Sequence, residues 1–238
     1  MKSKILAVIP ARGGSKAVPY KNIKLLLGRP LVEYTFEAAK ASKLLNRIII
    51  STDDEKIAEI AGDNKIEVPF FRPKELAQDD TPSLPVIKHA VSFLEEKENY
   101  KPDYIVILQP TSPLRKALHI DEALKILIET GTDSVVSVMH IHHQCNPYSV
   151  MEIRDGKLVP FIANSEKYTQ RQAKPAFYVR NGAAIYAFKY ETLMKKNSFF
   201  GDDCRPYLMN KVDSVDIDDL IDFEFAELLL SKRQKASE

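Results

Sequence analysis

A loop that contains two adjacent glycines and several cations lies near the start of the chain. It follows residues 5–9, a short apolar run that predicts the first buried strand of a parallel sheet. Gly13 and Gly14 let the backbone turn sharply and leave amide N–H groups uncovered. Cations surround this turn at positions Arg12, Lys16 and Lys21. Uncovered amides and clustered cations suit a triphosphate, although a surface loop with incidental basic residues explains the loop alone about equally well.

The composition and the loop exclude several other classes of protein. The loop lacks G-x-x-x-x-G-K-[ST] and G-x-G-x-x-G, so neither a P-loop kinase nor a dinucleotide oxidoreductase is expected. The net charge of +1 gives no reason to expect nucleic acid or an acidic membrane as a partner. Cys145 and Cys204 are too few for a disulfide framework or a thiolate zinc site. No run is long enough to span a bilayer and Pro10 ends the first apolar run, so we expect a cytoplasmic protein.

A second polar cluster follows the strand predicted at residues 104–108. Prolines fix a turn here, and the residues that offer hydrogen bonds are Gln109, Thr111, Ser112 and Arg115. Ligands of open parallel sheets bind beyond the carboxyl ends of the strands, so we expect this turn near the first loop, where it would suit a polar sugar. A proline-stabilised turn in which Thr111 or Ser112 caps a helix is a nearly equal alternative.

Two carboxylates alternate near the end of the chain. Asp216 and Asp218 would share one face of an extended segment, where like charges repel unless a cation separates them. Mg²⁺ prefers a few carboxylates together with phosphate oxygens, which makes it the expected cofactor. A solvated acidic turn, with Asp218 or Asp219 capping the last helix, is an equal alternative.

The remaining elements alternate between strand and helix. Strands are predicted at residues 47–52, 66–68 and 134–138, and helices at 30–39, 55–61, 84–95 and 120–129. This alternation predicts an α/β fold with an open, mostly parallel sheet between helices. After the aperiodic residues 140–178 come a strand at 183–188, a helix at 191–196 and an amphipathic helix at 218–230. We expect a single domain over residues 1–238.

Histidines do not add a metal site to this pattern. His142 and His143 are adjacent, so on an extended chain their rings face opposite ways, which argues against zinc. His89 and His119 lie on predicted helices and are expected to be surface residues.

These motifs resemble those of the CMP-sialic acid synthetase family, the cytidylyltransferases that activate nine-carbon 2-keto sugar acids. The loop from Ala11 to Asn22 resembles the family pattern A-R-x-G-S-K-x-x-P-x-K-N, except that Ala17 replaces the usual glycine after the lysine. Residues 108–115 match L-Q-P-T-S-P-L-R, and residues 213–218 match D-S-x-D-I-D. Residues 72–77 resemble R-P-x-E-L-A and residues 181–183 match N-G-A, so the resemblance spans nearly the whole chain.

The resemblance implies a three-layer α/β/α Rossmann-like nucleotidyltransferase fold with a mostly parallel sheet. Residues 140–178 would be a dimerisation and sugar-binding excursion within that domain, in a homodimer. The implied reaction is Mg²⁺-dependent transfer of CMP from CTP to the anomeric 2-hydroxyl of a nonulosonic acid, with pyrophosphate leaving. CTP and the sugar acid would be the partners, without nucleic acid or membrane.

The family motifs also imply roles for single residues. The nucleotide would be bound by Ala11, Arg12, Gly13, Gly14, Ser15, Lys16, Lys21, Asn22, Arg72 and Ser83. The sugar would be bound by Gln109, Thr111, Ser112, Arg171 and Asn181. The catalytic residues would be Arg12, Lys21, Asp216 and Asp218, the two aspartates also being the metal ligands. A surface salt bridge is the alternative for Arg72, and an N-cap is the alternative for Ser83.

Other functions stay open on the sequence alone. A guanylyltransferase or an eight-carbon keto-acid cytidylyltransferase could use the same scaffold, because a phosphate cradle does not read the base. A catalytically inactive nucleotide-binding or regulatory subunit is the alternative from another class. The carboxylate pair and the cations argue against it.

Overall fold

The computed structural model describes residues 3–15, 18–163, 165–168 and 170–236. Its strands are β1 (Ile5–Pro10), β2 (Leu25–Leu26), β3 (Arg29–Pro30), β4 (Arg47–Ser51), β5 (Tyr104–Ile107), β6 (Ser134–His140), β7 (Met151–Arg154), β8 (Lys157–Pro160), β9 (Tyr178–Arg180), β10 (Tyr186–Lys189) and β11 (Cys204–Leu208). Its α-helices are α1 (Leu31–Lys40), α2 (Glu55–Asp63), α3 (Ser83–Glu98), α4 (Ala117–Thr130), α5 (Tyr190–Met194) and α6 (Leu220–Lys235).

Within the residues described, one mixed sheet has the order β11–β6–β10–β5–β1–β4, and β9 also pairs with β6. Strand β1 runs parallel to both β4 and β5, and β6 runs parallel to β11. Strands β9 and β10 run antiparallel to the edge of β6 that they share. The prediction of an α/β fold with a mostly parallel sheet is therefore confirmed.

The two faces of β1 bury alternate residues, as the pleat of a strand requires. Ile5, Ala7 and Ile9 pack in one cluster with residues of α1, α2 and α4. Leu6 and Val8 pack in another cluster with residues of α3 and α5. Helices therefore cover both faces, and in open sheets of this kind ligands bind beyond the carboxyl ends of the strands.

The antiparallel partner of β6 is interrupted by a bulge. The strand predicted at residues 183–188 begins only at Tyr186, because residues 181–185 leave the ladder between β9 and β10. Gly182 and Ala183 in this bulge have φ angles of +62° and +56°. Such left-handed backbone breaks the strand, and the bulge lies opposite Ser137 of β6.

Other elements differ from the sequence-based expectation. The strand predicted at 66–68 is a single bridge between Ile49 and Glu67. Helix α6 buries Phe223 and Ala226 but exposes Ile221, so its apolar residues do not form the single face that was predicted. Strands β7, β8 and β11 were not predicted, because each is short and largely exposed.

Residues 140–178 form little regular structure beyond the β7–β8 hairpin. Short 3-10 helices lie at His143–Cys145, Ser165–Lys167 and Arg171–Ala173. The role of this excursion in dimerisation stays a prediction. Among the helices that the structure describes, none is long and apolar enough to cross a membrane.

Candidate active site

A cavity of about 270 Å³ opens at the carboxyl ends of β1 and β5. It collects most of the residues that the two loop motifs nominated. Of the predicted nucleotide and sugar residues, those that line it are Arg12, Gly14, Ser15, Lys21, Asn22, Arg72, Ser83, Gln109 and Thr111. Lys16 lies outside the described residues.

The first loop is held in shape by its neighbours after β4. Gly13 donates its N–H to Asp53 Oδ1 at 3.0 Å. A Cβ at position 13 would fall closer than 3.0 Å to the side chain of Asp54, so only glycine fits without displacement. Asn22 is buried and donates its Nδ2–H to the carbonyl of Arg12 at 2.9 Å. Asn22 and Gly13 therefore support the loop, as does Ala11, which is buried and donates its N–H to Ser51 O.

Arg12 extends across the mouth of the cavity toward the segment before α3. Its Nη1 donates to the carbonyl of Gln78 at 2.7 Å, and its Nη2 lies 3.1 Å from Asp79 Oδ1. Both partners also line the cavity. A triphosphate that occupied the loop would thus compete with Asp79 for Arg12.

Arg72 is a buried cation at the end of β4. Its Nε donates to Ser51 Oγ at 3.0 Å, and its Nη2 donates to the carbonyl of Ser51. Burial lowers the pKa of Arg72 to about 10, against the nearby charge of Asp53, which raises it. The surface salt bridge considered for Arg72 is wrong. The N-cap considered for Ser83 is also wrong, because Pro82 occupies the cap of α3 and Ser83 is its first residue.

Hydrogen bonds from the buried Arg115 hold the turn after β5 in place. This residue is 3% exposed, and its Nη1 donates to the carbonyls of Gln109 at 3.0 Å and Ala184 at 2.8 Å. Burial lowers the pKa of Arg115 to about 9. Gln109 and Thr111 face the cavity, but Ser112 is buried and does not line it. The structure therefore does not bring Ser112 to the expected sugar site.

The carboxylate motif meets both loops. Thr111 accepts the N–H of Ile217 at 2.8 Å through its carbonyl, and its side chain hydrogen-bonds the Asp216 carboxylate. Lys21 donates its Nζ–H to the carbonyl of Ile217 at 2.7 Å. Asp218 is exposed, and Asp219 rather than Asp218 caps α6 by accepting the N–H of Asp222.

Asp216 lies in a half-buried seat beside Gly182. A Cβ at position 182 would fall well within 3.0 Å of the Asp216 carboxylate. Burial is the largest influence on the pKa of Asp216 and raises it, and the negative charge of Asp218 raises it further. The hydrogen bond from Thr111 and the positive charge of Lys21 lower this pKa. Asp216 Oδ1 is buried without a hydrogen-bond partner among the residues described.

An orphaned carboxylate oxygen beside a second aspartate fits a Mg²⁺ ion. No group of three or more His, Cys, Asp or Glu side chains that could hold a metal occurs in the described parts of the chain. Mg²⁺ usually takes one or two carboxylates and completes its shell with water and substrate phosphates, so two aspartates suffice.

The chain is similar to known proteins over nearly its whole length. A family model described as "Cytidylyltransferase" matches residues 6–236. The chain belongs to the cytidylyltransferase family. It is 36% identical to an N-acylneuraminate cytidylyltransferase of Escherichia coli over 99% of this chain, but spans only 54% of that relative. It is 34% identical to a CMP-N,N'-diacetyllegionaminic acid synthase of Legionella pneumophila, over 98% of this chain and 99% of that one.

The fold of this cytidylyltransferase is also similar to that of a solved structure. A CMP:2-keto-3-deoxy-manno-octonic acid synthetase complexed with CTP superposes with a TM-score of 0.70, covering 97% of this chain and 100% of that chain. The identity is 17%, so this likeness concerns the fold alone. The Rossmann-like nucleotidyltransferase architecture is confirmed.

In the structure, Asn181 does not have the sugar-binding role that was predicted for it. Its Oδ1 accepts from Ser137 Oγ at 2.6 Å and its Nδ2 donates to Ser214 Oγ at 3.0 Å. The side chain is buried and does not line the cavity, so the structure makes it a brace rather than a sugar contact. The side chain of Arg171 lies outside the described part of the structure.

The sequence named Arg115 as a hydrogen-bonding residue of the β5 turn, and the structure shows that it holds the turn in place. Sequence reasoning missed two other residues that shape the site, since Asp79 pairs with Arg12 and Gly182 packs against Asp216. Only Gly182 had a sequence signal, because it is the middle residue of the N-G-A motif.

Proposed function

We propose that this chain transfers CMP from CTP to the anomeric 2-hydroxyl of a nonulosonic acid and releases pyrophosphate. The observation that carries the proposal is the placement of Lys21, which lies between the first loop and the Asp216 segment. A cation at that point lies beside both a phosphate cradle and a carboxylate pair. The names of the Escherichia coli and Legionella relatives support an acylneuraminate or a legionaminic acid as the sugar class.

Positioning and charge neutralisation dominate such a transfer. The sugar hydroxyl attacks the α-phosphorus in line and releases its proton, one P–O bond forms, and the bond to pyrophosphate breaks. Arg12 and Lys21 offset the charge on the departing pyrophosphate. Lys21 is preorganised for this role because the carbonyl of Ile217 fixes its ammonium group.

We assign different residues of the cavity to the two substrates, some to the base of CTP and others to the sugar acid. Arg72 is rigid because Ser51 holds two of its nitrogens, so it can present its remaining edge to a base at constant geometry. Ser83, the first residue of α3, also lines the cavity and offers a hydroxyl. Gln109 and Thr111 line the other side, where a sugar acid would lie against the α-phosphate.

Asp216 and Asp218 are the residues that would hold Mg²⁺. When bound there, the ion would neutralise phosphate charge during the transfer. Thr111 and Gly182 orient Asp216, and Lys21 favours its ionised form.

The test is pyrophosphate release with Mg²⁺, each of the four nucleoside triphosphates and a panel of nonulosonic acids. We expect release with CTP and one sugar acid. Asp216→Asn should lower turnover by orders of magnitude while the fold survives, and EDTA should abolish it. Release with GTP would indicate a guanylyltransferase, and release with an eight-carbon keto acid would indicate that alternative. If no combination of nucleotide and sugar releases pyrophosphate, the result would favour a catalytically inactive subunit.

We also propose that the β7–β8 hairpin takes part in a homodimer. Ile153 and Leu158 on this hairpin are 74% and 69% exposed, and such apolar side chains are typical of an interface. Ile153→Asp should convert a dimer to a monomer in light scattering. Ile221→Asp is the matched control, because that isoleucine is also exposed, at 76%, but lies on α6, outside the 140–178 excursion to which the family resemblance assigns dimerisation. It should leave the mass unchanged. A monomeric wild type would contradict the proposal.

A further inference from the structure

Asp213 begins the motif that carries the two candidate metal ligands, yet it lies away from them. It is 3% exposed, and its partners come from α4, α6 and the preceding turn. Oδ1 accepts from Arg233, and Oδ2 lies near the side chains of Asn210 at 2.6 Å, His119 at 3.3 Å and Lys116 at 3.5 Å. A carboxylate surrounded in this way by donors is an anchor rather than an open ligand.

His119 is oriented to serve that anchor. Its Nδ1 accepts the N–H of Lys116 at 3.2 Å, which leaves Nε2 to donate toward Asp213. The ring is buried, which corrects the expectation of a surface histidine. Burial lowers the pKa of His119, against the charge of Asp213, which raises it. The hydrogen bond between the two does not require a charged imidazole.

The segment after Asp213 is fixed at several further points. Ser214 accepts from the buried Asn181, and Ile217 is fully buried with both its N–H and its carbonyl engaged by the two cavity loops. Asp216 lies between these fixed residues, and three residues span at most roughly 10 Å. Because Asp213 adjoins Ser214 in this short segment, a shift of the anchor also disturbs the contacts that hold Asp216 in place.

We propose that Asp213, held by Arg233 and His119, is a positioning residue that sets the geometry of the Asp216 and Asp218 carboxylates and thereby the affinity for the divalent cation. The proposal rests on the proposed function only in taking those two aspartates as metal ligands. Residues that orient metal ligands typically change metal affinity or activity about 10- to 100-fold when replaced.

The test compares Asp213→Asn with a matched buried carboxylate. An amide at position 213 places N–H groups against the donors of Asn210 and His119, which should displace the segment. Asp121→Asn is the control, because Asp121 is also a buried carboxylate and accepts hydrogen bonds from Ser42 Oγ at 2.5 Å and from the N–H of Lys43. It fastens the turn after α1 and makes none of its hydrogen bonds with the Asp216 segment.

Mn²⁺ binding in the presence of CTP is measured by electron paramagnetic resonance, and turnover is measured separately. In Asp213→Asn we expect Mn²⁺ affinity and kcat to fall about tenfold, with the KM for CTP within about twofold of wild type. In Asp121→Asn the melting temperature should fall while Mn²⁺ affinity and kcat stay at wild-type values. Arg233→Gln releases the same anchor from α6 and should reproduce the loss if Asp213→Asn does not fold.

Wild-type Mn²⁺ affinity in folded Asp213→Asn and Arg233→Gln, with only a lower melting temperature, would overturn the proposal. A wild-type protein without a protein-dependent Mn²⁺ site would overturn it as well. Absence of pyrophosphate release, with Mn²⁺ binding that still depends on Asp213, would instead contradict the proposed function and leave the anchor standing.

Discussion

Gly182 lies in the bulge between β9 and β10, and the Asp216 carboxylate rests against its Cα. The backbone at Gly182 has a φ of +62°, and a Cβ there would lie within 3.0 Å of three atoms of the Asp216 side chain. Gly182→Ala therefore combines two effects, the cost of left-handed backbone for alanine and the displacement of a candidate metal ligand.

Gly131→Ala separates these effects. Gly131 ends α4 with a φ of +64°, almost the same as Gly182, but a Cβ there meets nothing within 4 Å. Left-handed backbone costs a non-glycine residue roughly 1–2 kcal/mol. Both variants should therefore lose at least this free energy of unfolding, and Gly182→Ala should lose more, because its Cβ also displaces the Asp216 side chain. The loss is seen as a melting temperature lower by about 2–4 °C for each kcal/mol.

Only Gly182→Ala should lose activity beyond that. Displacing a catalytic group by about 1 Å costs roughly 100-fold in rate, or ~2.7 kcal/mol of transition-state stabilisation. We expect kcat for pyrophosphate release to fall by about two orders of magnitude in Gly182→Ala and to stay near wild type in Gly131→Ala. Equal kcat values in the two variants would refute the assignment of Gly182 as the seat of Asp216.

Three further changes test the electrostatics of the cavity and of the adjoining Asp216 carboxylate. Asp79→Asn should lower the KM for CTP about two- to fivefold, because the Asp79 carboxylate no longer competes with the triphosphate for Arg12 and such an exposed ion pair contributes up to about 1 kcal/mol. An unchanged or higher KM would argue against that competition. Because burial raises the pKa of Asp216 and only its ionised form binds a cation, the rate should fall on acidification from a higher pH than for an ordinary aspartate, as a kcat–pH profile would reveal. A lysine at position 72 cannot keep both contacts to Ser51, so Arg72→Lys should raise the KM for CTP about tenfold while kcat changes less. If the wild type and Arg72→Lys show equal selectivity among pyrimidine triphosphates, Arg72 does not read the base.

The sequence by itself determined the fold class and the place of the cavity. Continuous apolar runs such as residues 5–9 predict buried parallel strands, and the residues that follow them must lie at the carboxyl edge of the sheet. The loop around Gly13 and the turn at Gln109 meet there for that reason.

Only the tertiary structure decided which polar residues face the cavity and which brace it. Asn181, Ser112 and Asp213 lie in motifs that predict ligand contact, yet all three are buried. Their surroundings come from segments far away along the chain, as His119 and Arg233 do for Asp213. A buried polar group must find partners inside the protein, and a sequence pattern records the group but not the distant residues that satisfy it.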